Sequence, residues 1–408
     1  MMPKPTPERL PRNVIWLSIA AMMNDISGEI VQRGLPLFLS ATLGVSKSVI
    51  GLIEGLADMA ASLLQVFSGW YSDRWGNRKT IAGAGYTMTA LARPMLYFAT
   101  TWVLPLFSKF LDRAGKGIRN APRDALIADS VSPQMRGRAF GLNRALDPAG
   151  AVLGALIGAG LLYYWQSSRF AFGSGGLSLP HWKTLMLVAL IPSAIAALIV
   201  FFIVQEKKRE RRTPPPLKHI LHVGKDRRFR RLMLIVAFFT LGLSSDAFLV
   251  LRAQSLGIAL WQIFVIIALF NLVTALSAYP AGILSDRLTR RALIRAGWIA
   301  YALIYVGFAF ASEPWHIWTL YIVYGIYYGL TEGVEKAFVA DLVAPEERGA
   351  AYGIYNGAVG IAALPASLIA GILWQLISPA APFLFGGAIA VIATILLGTV
   401  KETKAPLP

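Results

Sequence analysis

Twelve stretches of this chain are mostly apolar over about 20 residues, the length an α-helix needs to cross a bilayer. They run roughly 13–42, 47–71, 81–100, 103–128, 139–164, 184–205, 232–256, 261–284, 292–311, 315–341, 351–376 and 382–400. Inside hydrocarbon every backbone N–H and C=O must be satisfied by the protein itself, so apolar segments this long cross as helices. The pattern predicts an all-α integral membrane protein with twelve transmembrane helices. The first stretch is longer than a cleaved signal sequence and carries Asp25, Glu29 and Arg33, so it counts as a span.

A formal charge of +17 is unusual on a chain that is 56% hydrophobic and only 15% charged. Most of the 39 Lys and Arg lie in the 1–12 tail, the C-terminal tail and the even-numbered loops. The odd-numbered loops hold only Lys47, Arg169 and Lys183. Positive residues collect on the cytoplasmic side. The reading is a multi-pass protein of a bacterial-type cell (inner) membrane with both termini in the cytoplasm, and the excess charge is a topology signal and not a nucleic-acid footprint. Trp102, Trp165, Trp182, Trp261, Trp315 and Trp318 fall near the opposite ends of the spans, where an aromatic belt forms.

The loop at about 206–231 is the most basic. Pro214, Pro215 and Pro216 precede Leu217, Ile220, Leu221 and Phe229 set among cations. It reads either as a solvated linker or as a short cationic helix lying on anionic membrane lipid. The chain has no cysteine, and its histidines are His181, His219, His222 and His316. That excludes thiol chemistry and gives no convincing metal site; His219 and His222, at i and i+3, are the nearest approach to one. No cofactor is called for. The phosphate-cradling pattern Gly-x-x-x-x-Gly-Lys-Ser/Thr is absent, which argues against ATP hydrolysis and against an enzyme of that kind.

The sequence repeats. Gly69, Asp73, Arg74 and Arg78 recur 213 positions later as Gly282, Asp286, Arg287 and Arg291, and Gly44 recurs as Gly257. Asp129, Arg136, Gly137 and Gly141 recur 212 positions later as Asp341, Arg348, Gly349 and Gly353. This predicts an N-terminal six-helix bundle over 1–205, a basic cytoplasmic linker over 206–231 and a C-terminal six-helix bundle over 232–408. Two like-oriented halves imply a pseudo-two-fold axis along the membrane normal, with a site between them near mid-bilayer.

On these motifs the chain resembles a twelve-helix secondary transporter of the major facilitator superfamily over essentially its whole length. The family's loop between spans 2 and 3 has Gly, then Asp-Arg four residues on, then Gly and a basic pair; Gly69, Asp73, Arg74, Gly76, Arg78 and Lys79 fill those slots. The second copy has Leu288-Thr289 where the first has Trp75-Gly76. Arg113 with Gly117 resembles the family's fourth-helix Arg motif. In span 5 the antiporter-type pattern begins Gly-Pro, and this chain has Asp147-Pro148 followed by Gly150, Gly154 and Gly158. The resemblance implies a monomer that moves a small-molecule substrate by alternating access, driven by protons or another coupling ion.

The loop motif has a physical reading as a cytoplasmic gate. Gly69, Asp73, Arg74, Arg78, Asp129 and Arg136 in one half, and Asp286, Arg287, Arg291, Asp341 and Arg348 in the other, place carboxylates and cations where helix ends meet. Exposed pairs are worth at most about 1 kcal/mol each, so only a network can latch. The glycines of span 5, and Gly353, Gly357 and Gly360 of span 11, predict that these two spans cross closely at the interface between halves.

Charges at membrane depth face a cavity or a partner. Asp25, Glu29, Glu54 and Asp58, with Arg113 nearby, are the candidates for proton coupling, since a dehydrated carboxylate can hold a proton in one state and release it in another. Arg33, Lys116, Arg119, Arg123, Asp246, Arg252, Glu332, Glu335 and Lys336 are the candidates for substrate binding, with guanidinium the preferred fork for carboxylate or phosphate. Asp246 lies 213 positions after Arg33, and Glu332 the same distance after Arg119. Any one of these charges can equally be half of a structural pair. Tyr321, Tyr324, Tyr327 and Tyr328 of span 10 either line the cavity or pack outward. The functional expectation is proton-coupled efflux of a small organic compound. The alternatives are transport of an anionic metabolite, lipid flipping, or a scaffold that keeps the fold without transport.

Overall fold

The computed structural model describes residues 10–75, 77–132, 135–167, 179–206, 226–287, 289–344 and 347–400, with side chains other than those at 69–70, 72–75, 166–167, 279, 281–287 and 332–333. The basic stretch 207–225, Gly69 and the side chains of Asp73, Arg74, Asp286, Arg287 and Glu332 therefore lie outside the described residues. Among those described, twelve helical spans follow one another: α1 (Arg12–Leu37, continued by a π-turn over Phe38–Thr42), α2 (Lys47–Trp75), α3 (Arg78–Tyr97), α4 (Val103–Asp129), α5 (Arg136–Ser167) and α6 (Leu179–Leu198, with a π-turn over Ile199–Ile203). The second six are α7 (Arg227–Gly242 and Asp246–Ser255), α8 (Leu260–Arg287), α9 (Arg290–Phe310), α10 (Pro314–Asp341), α11 (Arg348–Leu376) and α12 (Ala381–Leu397). Eight helices are long and apolar enough to cross a membrane by length and composition alone. α4 is not among them, because it carries a ladder of charges.

The repeat shows in the turns. Gly44 (φ 63°) ends α1 and Gly257 (φ 78°) ends α7, both left-handed and 213 positions apart. A side chain is strained in that conformation, so the same residue type closes the same hairpin in each half.

The halves meet along close backbone seams, and here the structure corrects the glycine reading. α5 and α11 do not cross each other. A Cβ at Gly150 or Gly154 would meet Met22 or Ile26 of α1, and one at Gly158 would meet Phe264 of α8. α11 packs on α2 instead: a Cβ at Gly51 would lie 2.2 Å from the Ser367 carbonyl, and one at Gly371 would lie 2.4 Å from that of Lys47. The two-fold arrangement sets α5 against α8 and α2 against α11, so each glycine stripe serves a different neighbour. Gly51→Leu is expected to abolish the folded monomer or part the halves, because backbone cannot give way. Gly353→Ala, where the nearest atom would be 3.4 Å away, is expected to be silent. Size-exclusion profiles of the two variants check this.

α7 is broken at Leu243–Ser245, where the sequence pattern gave one unbroken span. Ser245 caps the second piece, accepting from the Ala247 N–H at 3.3 Å. Consecutive serines offer the backbone alternatives to helical bonding, and such a break is tolerated at membrane depth where it lines a cavity. Trp182 is also not in a belt. It is buried and stacks on Phe38 at 4.4 Å.

Candidate functional site

Hydrogen bonds join the halves. Arg33 Nη1 donates to Asp246 Oδ2 at 3.0 Å, Asn271 Nδ2 to Glu29 Oε1 at 2.9 Å, Ser245 Oγ to Glu54 Oε2 at 2.9 Å, and the Lys47 N–H to Gln375 Oε1 at 3.3 Å. Each lies at the middle of its helices or toward the face opposite the chain termini. At the terminal face Arg78 pairs with Asp129, and Arg290 with Asp341 at 2.7 Å, each within one half. Arg291, the repeat partner of Arg78, donates to the Val400 carbonyl at 2.8 Å. These four bonds tie the halves together toward the face opposite the chain termini.

Beneath that tied face lies a cavity of about 530 Å³, bounded by α1, α2 and α4 on one side and by α7, α10 and α11 on the other. Eight charged side chains line it: Glu29, Arg33, Glu54, Asp58, Lys109, Arg113, Lys116 and Asp246. The broken turn of α7 contributes Leu243, Ser244 and Ser245, and α10 contributes Tyr324 and Tyr328. Tyr321 and Tyr327 are buried instead in an aromatic cluster that includes Phe308, Tyr301 and Tyr324.

The charges are organised. Arg33 is shared: its Nε donates to Glu29 Oε1 at 2.9 Å while Nη1 reaches Asp246. Two carboxylates from opposite halves therefore surround one guanidinium. Glu54 accepts from Lys109 and from Ser245. Asp58 faces Arg113 at 3.3 Å. Among the described residues, Lys116 has no carboxylate within 4 Å. Toward the terminal face a second group gathers, in which Asp25 is within electrostatic reach of Asp147, Lys116, Arg119 and Arg123. Arg119 is buried, donates to Thr89 Oγ1 at 2.9 Å and stands 5.1 Å from the centre of the Tyr86 ring. Arg123 pairs with Asp124 on its own helix.

The remaining sequence candidates lie elsewhere. Arg252 donates to the carbonyls of Phe308, Ala309 and Ala311, closing the end of α9. Glu335 accepts from Trp298 Nε1 and from the Tyr355 hydroxyl, and neither it nor Lys336 lines the cavity. Sequence reasoning passed over Lys109, Asn271 and the buried pair Arg93–Asp112. Lys109 had a signal: it precedes Arg113 by four residues as Glu54 precedes Asp58, so two facing helices carry matching i, i+4 ladders.

The family model described as Major Facilitator Superfamily matches residues 17–334 and 248–408. An MFS-type transporter of Methanocaldococcus jannaschii, MJ1317, is 34% identical over 394 residues, covering 95% of this chain and 94% of that protein. The multidrug resistance protein MdtH of Cronobacter sakazakii is 36% identical over 153 residues, 35% of this chain and 37% of its own length. Among solved structures, the nucleoside transporter NupG superposes with a TM-score of 0.76 at 14% identity, over 97% of this chain and 100% of that one.

Proposed function

The chain belongs to the major facilitator superfamily, a family of membrane transporters and not of enzymes, and from that premise we propose that it exports a small polar organic solute across the cell membrane by alternating access, in exchange for protons. The observation that carries this reading is the cavity between the halves with its eight charged side chains. Charges at such depth are costly and accompany a polar path, and a wall of this kind suits a polar cargo better than a lipid tail.

Proton coupling is supported by the trio Glu29–Arg33–Asp246, in which two acids share one base. When the halves part at the tied face, the Arg33–Asp246 contact breaks while Glu29 keeps its own-helix pairing with Arg33, so the charge balance at the centre changes with the state of the face. Export is supported by the stretch similar to a protein named for multidrug resistance. The basic even-numbered loops support cytoplasmic termini, which makes the tied face external.

The test is the purified chain in proteoliposomes with an imposed pH gradient and a panel of polar solutes. At least one solute is expected to move against its own gradient and to stop when a protonophore is added. Glu29→Gln is expected to keep solute exchange and lose gradient-driven accumulation. Flux indifferent to the pH gradient removes the proton coupling; a panel in which nothing moves removes transport itself.

A further inference from the structure

Lys116 is the central residue of α4, thirteen positions from either end of Val103–Asp129. Its side chain is exposed, and it lines the cavity. Of the cavity's four cations, Arg33, Lys109 and Arg113 each have a carboxylate within 4 Å. Lys116 has none, and it makes no hydrogen bond among the described residues. Three residues back on the same helix face, Arg113 Nε is buried and, although 3.3 Å from Asp58, has no hydrogen-bond acceptor. The amides of Gln32, Gln65 and Asn120 line the same space, and their side chains make no hydrogen bond either.

The cavity acids, in contrast, are all engaged. Glu29, Glu54, Asp58 and Asp246 each face a cation, and Glu29 and Glu54 accept a second hydrogen bond from the other half. An arriving cation finds every carboxylate already in contact with a cation, Glu29 and Asp246 sharing Arg33. An arriving anion finds an exposed ammonium group that lacks an acceptor. At membrane depth a charge faces a partner or a polar path, and Lys116 has the path without a carboxylate in contact. The more distant charges around Lys116 are Asp25 on α1 and Asp112, Arg113 and Arg119 on its own helix. None of the acids among them is in contact with it.

We propose that the transported solute carries an anionic group, a carboxylate or a phosphate, and that this group sits on Lys116. The inference rests on the transport reading above and narrows its substrate class. It also names a division of labour: Lys116 holds cargo, while the Glu29–Arg33–Asp246 trio holds the proton.

Two experiments separate the inference from its premise. In proteoliposomes, benzoate, succinate and glucose 6-phosphate are compared with uncharged glucose and cationic choline. At least one anion is expected to be carried, with KM raised about tenfold or more by Lys116→Gln, the scale of one lost charge-assisted contact, and largely restored by Lys116→Arg. The carried member of the panel tells carboxylate from phosphate. If glucose or choline is carried and Lys116→Gln leaves its KM unchanged, the anion seat is wrong and the transporter stands. The second experiment needs no cargo. The chain has no cysteine, so Asn120→Cys provides a single thiol one turn from Lys116. Relative to a free thiol, it is expected to react several-fold faster with a sulfonate-bearing methanethiosulfonate than with the trimethylammonium reagent, and Lys116→Gln is expected to erase that preference. If nothing in the panel moves and the sulfonate preference holds, the transport premise falls while the seat stands. A thiol indifferent to reagent charge, or to Lys116, overturns the seat.

Discussion

Reversing the charge at Asp246 is expected to open the face at which the halves are tied. Arg33 and Asp246 occupy equivalent positions in the two repeats and touch each other at 3.0 Å. Residues related by a two-fold axis can meet only beside that axis, so this pair marks the line along which the halves separate. Asp246→Arg replaces an attraction with a repulsion at the same place. Like charges about 4 Å apart repel by about 4 kcal/mol at an effective dielectric of about 20. Asp246 is 41% exposed on its side chain, and solvent reduces the effect to about 1–2 kcal/mol, still on the order of tenfold in the population of two states.

The measurement is again helped by the absence of cysteine. Ala363→Cys puts one thiol on the cavity wall. In the Asp246→Arg background it is expected to label about tenfold faster with an impermeant reagent applied at the tied face. Combining Arg33→Asp with Asp246→Arg keeps two acids around one guanidinium and is expected to return labelling toward the parent rate. If Asp246→Arg labels like the parent, or the exchanged pair does not recover, the pair does not hold the face shut.

The sequence carried the number of spans, their edges to within a few residues and the repeat, because bilayer thickness and backbone satisfaction act on each segment separately. It carried the Arg33–Asp246 relation as a numerical offset, which geometry turns into a contact. It did not carry partners. Whether Gly154 approaches α1 or α11 depends on where the fold sets each neighbour, and a stripe of small residues reads the same either way. Arg252 looked like a cargo ligand because a lone arginine near a span invites that reading; what it binds is three carbonyls that only the end of α9 supplies. The break in α7 was hidden because Ser244 and Ser245 barely lower the mean hydropathy of an otherwise apolar window. In the sequence Lys116 is one of four candidate cations on α4, with Arg113, Arg119 and Arg123. What singles it out is its lack of a carboxylate in contact, and that is a property of the packed bundle alone.

Asp112→Asn is expected to be among the most destabilising single changes in the N-terminal half. Arg93 and Asp112 are 1% and 5% exposed, and Arg93 Nη2 lies 3.1 Å from Asp112 Oδ1 while its Nε donates to Ser27 Oγ at 3.0 Å. The three residues bind α1, α3 and α4 behind the cavity, and neither member of the ion pair lines it. Removing the carboxylate leaves a guanidinium buried without a counter-charge, which costs about 3–5 kcal/mol. That is a large share of the roughly 5–15 kcal/mol that holds a typical domain folded. Deleting both charges is different. Arg93→Met with Asp112→Leu removes the desolvation penalty of each ion, and exchanges of that kind are often neutral or better. Asp112 also faces Arg113 and Arg119, so the double replacement leaves those cations less well neutralised and should recover most of the loss but not all of it. Thermal unfolding in detergent should therefore rank the parent first, the double variant close behind and Asp112→Asn well below. Asp112→Asn melting with the parent would show that the pair is not what holds these helices together. A double variant no better than Asp112→Asn would show that the charges do more than neutralise each other, and would move Arg93 and Asp112 from the frame of the protein into its working parts.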